Sequence, residues 1–211
     1  DGDGDADVLS ASFWDDKIAW YENLGGGAFG PQQVITTSAN GAYSVYATDL
    51  DGDGDADVLS ASYNDDKIAW YENLGGGAFG AQQVITTAAD GARSVYATDL
   101  DGDGDADVLS ASWFDDKIAW YENLGNGNFG AQQVITNAVV GARSVYATDL
   151  DGDGDADVLS ASWFDNKIAW YENLGGGAFG AQQVITTAAD SARSVYATDL
   201  DGDGDADVLS A

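Results

Sequence analysis

The chain has 211 residues, 45% of them hydrophobic, with 37 Asp and Glu against 7 Lys and Arg and a formal charge of −30. That hydrophobic share argues against a disordered acidic tail, and the charge argues against nucleic acid as a partner, because a phosphate backbone rewards positive charge. With no Cys and no His, disulfide frameworks, thiol nucleophiles and His-based triads are excluded.

The heptapeptide Asp-Gly-Asp-Gly-Asp-Ala-Asp opens the chain at residue 1 and returns at residues 51, 101, 151 and 201. A fixed period of fifty residues marks a propeller, a solenoid or another array. Residues 1–11 are a partial repeat, and 12–61, 62–111, 112–161 and 162–211 are four full units. In the first of these, Phe13-Trp14-Asp15-Asp16 reads as a turn. Lys17 to Asn23 is rich in β-formers and is closed by Leu24 and glycines 25 to 27. Phe29 to Thr37 is a further strand, and its Pro31 suits an outer edge. Ser44 to Thr48 leads into the acidic loop and Asp57 to Ala61 leaves it. Stretches such as Ile18-Ala19-Trp20-Tyr21 are apolar on both faces, the pattern of a sheet buried between neighbours. No segment has helical periodicity. The expected fold is therefore an all-β propeller of four-stranded blades with a fifty-residue repeat, seventeen strands in all.

One complete loop runs Asp49-Leu50-Asp51-Gly52-Asp53-Gly54-Asp55-Ala56-Asp57. Carboxylates fall at positions 1, 3, 5 and 9, Gly54 permits a sharp turn, and position 7 can offer its carbonyl. Two carboxylates about 4 Å apart repel by roughly 4 kcal/mol at an effective dielectric of about 20, so such a cage is unfavourable without a cation. An all-oxygen, flexible donor set suits calcium better than the stricter magnesium ion. The helical calcium hand is ruled out, because its position 12 needs a bidentate Glu and here holds Ser60, followed by β-forming sequence.

Asp-x-Asp-x-Asp-Gly-x-x-Asp between two strands, with Phe29-Gly30 some twenty residues ahead of Asp49, resembles the FG-GAP repeats of the integrin α-subunit propeller and the related VCBS repeats of bacterial surface and secreted proteins. Val58-Leu59-Ser60-Ala61 stands where that family has a Gly-Ala-Pro stretch, so the metal loop carries the resemblance. The resemblance implies one four-stranded blade per repeat, with calcium in the loop between its first two strands. Its ligands would be Asp49, Asp51, Asp53 and Asp57 by side chain and Asp55 by carbonyl. The same roles fall on Asp99, Asp101, Asp103, Asp105 and Asp107, on Asp149, Asp151, Asp153, Asp155 and Asp157, and on Asp199, Asp201, Asp203, Asp205 and Asp207. The truncated first loop offers only Asp1, Asp3, Asp5 and Asp7.

The turn after the second strand varies between units as Phe13-Trp14, Tyr63-Asn64, Trp113-Phe114 and Trp163-Phe164. Trp14, Trp113, Phe114, Trp163 and Phe164 either stack on sugar rings or pack between units. Glu22, Glu72, Glu122 and Glu172 are read as hydrogen-bonding groups within the sheets, and no enzyme activity is expected. Calcium loops that fill only at extracellular concentrations place the protein outside the cell, and the bacterial members of the family point to a bacterial source. No signal peptide, membrane span or lipid motif is present and the chain begins with Asp, as expected for a processed product or a part of something longer. The second strand appears at both ends, which leaves three arrangements open. These are a four-bladed ring with a tail, a larger ring shared by two chains, and a head-to-tail array that self-associates into a fibre. The function expected is a calcium-rigidified structural or adhesion protein with a glycan or matrix partner, or alternatively a glycan-binding lectin.

Overall fold

Alternating β-branched, aromatic and small residues, punctuated by glycines, produce seventeen short antiparallel strands throughout the computed structural model, which describes residues 1–211. The first sheet joins β1 (Val8–Ser12), β2 (Lys17–Tyr21) and β3 (Gln33–Thr36). Three four-stranded sheets follow in chain order. They are β4 (Ala42–Thr48), β5 (Asp57–Ser62), β6 (Lys67–Tyr71) and β7 (Gln83–Thr86); β8 (Ala92–Thr98), β9 (Asp107–Ser112), β10 (Lys117–Tyr121) and β11 (Gln133–Thr136); and β12 (Ala142–Thr148), β13 (Asp157–Ser162), β14 (Lys167–Tyr171) and β15 (Gln183–Thr186). A final pair holds β16 (Val195–Thr198) and β17 (Asp207–Ser210). The sheets are separate and none closes on itself. No helix is long and apolar enough to cross a membrane.

The sheets are offset from the sequence units: residues 12–61 hold two strands of the first sheet and two of the second. The outermost strand is shorter than Phe29–Thr37. Glycines 25 to 27, all at positive φ, turn the chain, Phe29 makes only a bridge to Asn23, and pairing resumes at Gln33, beyond Pro31. The preceding strand also stops early, at Tyr21, because the Asn23 amide donates to the Asp7 carboxylate at 2.8 Å instead of to a neighbouring strand.

Burial on both faces is what the sequence pattern requires of stacked sheets. Every residue of β5, β9 and β13 is buried. Leu59, Ile68 and Trp70 of one sheet pack with Val95, Val108 and Tyr121 of the next, and Leu109, Ile118 and Trp120 repeat this against Val145, Val158 and Tyr171. Trp20, Trp70 and Trp120 each meet a glycine that has no room for a side chain. A methyl group on Gly77, Gly127 or Gly177 would lie 2.4, 2.3 and 2.4 Å from Cζ2 of Trp20, Trp70 and Trp120, and each glycine is at positive φ. The buried phenols of Tyr71, Tyr121 and Tyr171 accept from Gln82, Gln132 and Gln182 at 2.7 Å, so the core hides no unpaired tyrosine hydroxyl. First strands of successive sheets lie side by side, bringing Tyr46, Tyr96, Tyr146 and Tyr196 into a ladder with ring centroids 4.7, 4.8 and 4.7 Å apart.

Candidate metal centre

Each acidic loop links the first and second strands of a sheet, and a chain of side-chain-to-backbone bonds winds it around its own carboxylates. Asp49 accepts the Gly52 and Gly54 amides at 2.7 and 2.9 Å, Asp51 accepts the Asp53 amide at 3.2 Å, and Asp53 accepts the Asp55 amide at 2.8 Å. Gly52 and Gly54 have φ of 83° and 96°, a region that residues with a Cβ rarely enter. Loops 99–107, 149–157 and 199–207 repeat the pattern.

The result is a convergence of oxygens. Asp49, Asp51 and Asp53 each bring one carboxylate oxygen within 4.8 Å of the others. The same holds for Asp99, Asp101 and Asp107, for Asp149, Asp151 and Asp157, and for Asp199, Asp201 and Asp203. Positions 1 and 3 thus meet in every complete loop, joined by position 5 or position 9. Position 7 stands apart: the carboxylates of Asp55, Asp105 and Asp155 approach Gly75, Gly125 and Gly175 of the adjoining turn. In the truncated loop, Asp1, Asp3, Asp5 and Asp7 form no such cluster. There the amino terminus lies 2.7 Å from Asp7 Oδ2, where Leu50 N–H meets Asp57 Oδ2 in the complete loop.

The aspartate at position 9 is the deepest member. Asp57, Asp107 and Asp157 have no exposed surface. Asp57 accepts the Leu50 amide at 2.9 Å and the Asn73 amide at 2.8 Å. Burial pushes the Asp57 and Asp107 carboxyls up to about 6, opposed by those amide bonds and reinforced by the neighbouring carboxylates of the loop. Asp157 and Asp101 are raised for the same leading reason. Oxygen donors, several negative charges and a desolvated member that resists ionisation fit a hard divalent cation, whose charge would offset the repulsion.

A residue not singled out from the sequence completes the site. Asn123 is buried; its main-chain amide donates to Asp107 at 2.7 Å, and its Nδ2 donates to Ala106 O at 3.0 Å and to Leu50 O, in the preceding sheet, at 2.8 Å. Asn173 does the same with Asp157, Ala156 and Leu100. Their fixed place sixteen residues after the last loop aspartate is the available signal. The adjacent glutamates play a smaller part: Glu72 uses its main-chain carbonyl to accept Gly80 N–H at 2.7 Å, and the Glu172 carboxylate reaches Gln183 at 3.5 Å.

The aromatic turns lie at the opposite end of the sheets from the acidic loops. Trp113 and Trp163 are half-buried against each other and against arginines. Phe114 and Phe164 are 60% and 61% exposed and lean over Gly91 and Gly141, whereas Trp14 is 94% exposed.

The family model described as an FG-GAP-like repeat matches residues 1–60, 49–110, 99–160 and 149–210. The chain therefore belongs to the FG-GAP-like repeat family. Its fold is similar to that of a lectin of Agrocybe aegerita that recognises non-reducing terminal N-acetylglucosamine, with a TM-score of 0.68, 21% identity, and coverage of 99% of this chain and 57% of that one. It is also similar to the V. cholerae biofilm matrix protein Bap1, with a TM-score of 0.56, 22% identity, and coverage of 100% and 32%. For a mutant of the NanB sialidase from Streptococcus pneumoniae the values are 0.58, 14%, 88% and 31%. The chain thus spans between about a third and somewhat over half of these relatives, and at such identities the likeness is one of fold alone. No curated protein has a matching sequence.

Proposed function

We propose that this chain is a run of β-propeller blades from an extracellular structural or adhesion protein, and that calcium bound in the acidic loops stiffens each blade. The observation that carries this reading is the convergence of three Asp oxygens within 4.8 Å in each complete loop, with a buried carboxylate that is costly to ionise alone, Asp57, Asp107 or Asp157, in the first three of them. The lateral stacking of first strands and the interlocked Trp–Gly contacts support blades arranged around a common axis. A calcium ion bound by the folded loop alone couples metal to folding. The reading assigns no catalytic residue. Likeness in fold to a biofilm matrix protein favours a bacterial matrix setting with self-association or a matrix partner.

Electron microscopy and thermal unfolding in calcium, then in excess chelator, test the proposal. The expected outcome is rings or filaments in calcium, with a lower melting temperature and faster proteolysis on chelation. An identical melting temperature in both conditions would defeat it.

A second reading, glycan binding, is favoured by the half-exposed rings of Phe114 and Phe164 and by likeness in fold to a lectin. Under it, Phe114→Ala and Phe164→Ala abolish retention on glycans while the fold persists. Under the first reading these variants affect only packing at the turn.

A further inference from the structure

Only seven cationic side chains stand against 37 acids in this chain, and they divide into two groups. Lys17, Lys67, Lys117 and Lys167 each pair with an aspartate two residues earlier, at 2.8, 2.8, 2.6 and 2.9 Å. Arg93, Arg143 and Arg193 pair with no carboxylate, although acids outnumber them many times over; the ion pairs of the chain are those of the lysines and the amino terminus.

The three arginines occupy equivalent positions in successive units and are drawn together at the edge formed by the first strands. Arg93 and Arg143 lie where the register of β8 with β9 and of β12 with β13 slips, and such a bulge re-aims the side chain it carries. The fourth copy of the position is Tyr43, at the same slip in β4. Its hydroxyl accepts from Arg93 Nη1 at 2.7 Å and from Arg143 Nη2 at 2.8 Å, so two guanidinium groups converge on one oxygen.

The walls are aromatic. Arg93 Cζ lies 4.0 Å from the centre of Trp113 and 4.7 Å from those of Tyr43 and Tyr63, and Trp163 is shared at 4.9 Å by Arg143 and Arg193. Ring faces hold a cation in place without consuming its N–H donors. Arg93 Nε is buried without a hydrogen-bond partner. Burial lowers the proton affinity of Arg143, and so do the charges of Arg93 and Arg193. Like charges gathered in this way, with the Arg93 Nε donor free, suit an anion.

We propose that Arg93, Arg143 and Arg193, walled by Tyr43, Trp113 and Trp163, form a binding site for a compact oxyanion group, a carboxylate or a sulfate carried by a ligand. Planar guanidinium forks match the paired oxygens of either group. The acidic loops do not bar its approach: Asp99 is six residues along β8 and its exit from Arg93, about 20 Å at the rise of an extended strand, beyond a screening length of about 8 Å at physiological salt.

The three arginines supply three Nε–Hε signals in a nitrogen-15 spectrum of the full chain in calcium. Titration with sodium sulfate and with sodium glucuronate, against sodium chloride at equal ionic strength, is the test. The expected result is a saturable shift of the Arg93 and Arg143 signals with sulfate, glucuronate or both, and not with chloride. Sulfate alone identifies a sulfate ester as the natural group, and glucuronate alone a carboxylate. Arg143→Gln is expected to weaken binding by about tenfold or more, the loss that follows removal of a charge-assisted fork. Arg193→Gln removes an exposed side chain and weakens binding while leaving the fold intact. Shifts that follow ionic strength alone, or unchanged affinity in both variants, overturn the proposal whether or not the loops bind calcium.

Discussion

Asp103 and Asp107 belong to the same loop and differ in what surrounds them. Asp107 is buried and takes amide bonds from Leu100 and Asn123, whereas Asp103 is exposed and takes one from Asp105. Asp107→Asn turns an acceptor into a donor facing an N–H, so it is expected to cost about 1–3 kcal/mol even in chelator. Asp103→Asn should leave chelated stability nearly unchanged and weaken only calcium binding; denaturant unfolding with and without calcium separates the two. The buried carboxyls also set a pH dependence. Asp57 and Asp107 titrate at about 6 in the fold against an ordinary 3.8, so the native state holds their protons more tightly than the unfolded chain. That contribution is full below 3.8 and is lost as pH rises through about 6. In excess chelator the melting temperature is therefore expected to fall between about pH 4 and 6 by this effect, and calcium to suppress the fall by replacing the proton. A flat chelated profile over that window would contradict the assignment.

Strands and turns are legible in the sequence wherever a local pattern decides them. The strands read at Lys17 to Asn23 and Asp57 to Ala61 from their composition meet β2 and β5 to within two residues at their ends, the seventeen strands follow from the period, and the glycines of the acidic loop mark its turns. Phe29-Gly30 reads as strand from its composition yet lies outside one, because its bridging to Asn23 depends on the Asn23 amide being held by an aspartate sixteen residues away. Contacts between repeats are hidden for a similar reason. Nothing local says that Asn123 reaches Leu50, or that Arg143 reaches Tyr43 a hundred residues back. At this scale the Trp–Gly contact makes the sharpest prediction. Gly127→Ala combines a positive φ with a methyl 2.3 Å from Trp70 and is expected to destabilise by about 1–3 kcal/mol in denaturant unfolding. The preceding residue, Asn126, already occupies a positive φ with a side chain in place. Gly176→Ala, with a similar φ and nothing near its Cβ, separates strain from collision.

For the molecule as a whole, the proposed metal would act against the net charge. A formal charge of −30 favours solubility and opposes compaction, and divalent ions held by the clustered loop aspartates would relieve part of that repulsion where it is densest. Calcium at about a hundred times its dissociation constant would add about 2.7 kcal/mol for each independent loop that binds only when folded. The expected outcome is a calcium-dependent melting temperature, measured by calorimetry, with a larger shift at low ionic strength than at high. Bonding within the array is uneven. Hydrogen-bonded pairing joins strands inside each sheet, whereas successive sheets are held by side-chain packing and a few bonds such as Asn123 to Leu50. Tension along the chain would load those seams in series, so the array should yield sheet by sheet under a stretching force. Each release would free one fifty-residue repeat, about 170 Å of contour at roughly 3.4 Å per residue, and because the seams are near-copies the rupture forces should be nearly equal.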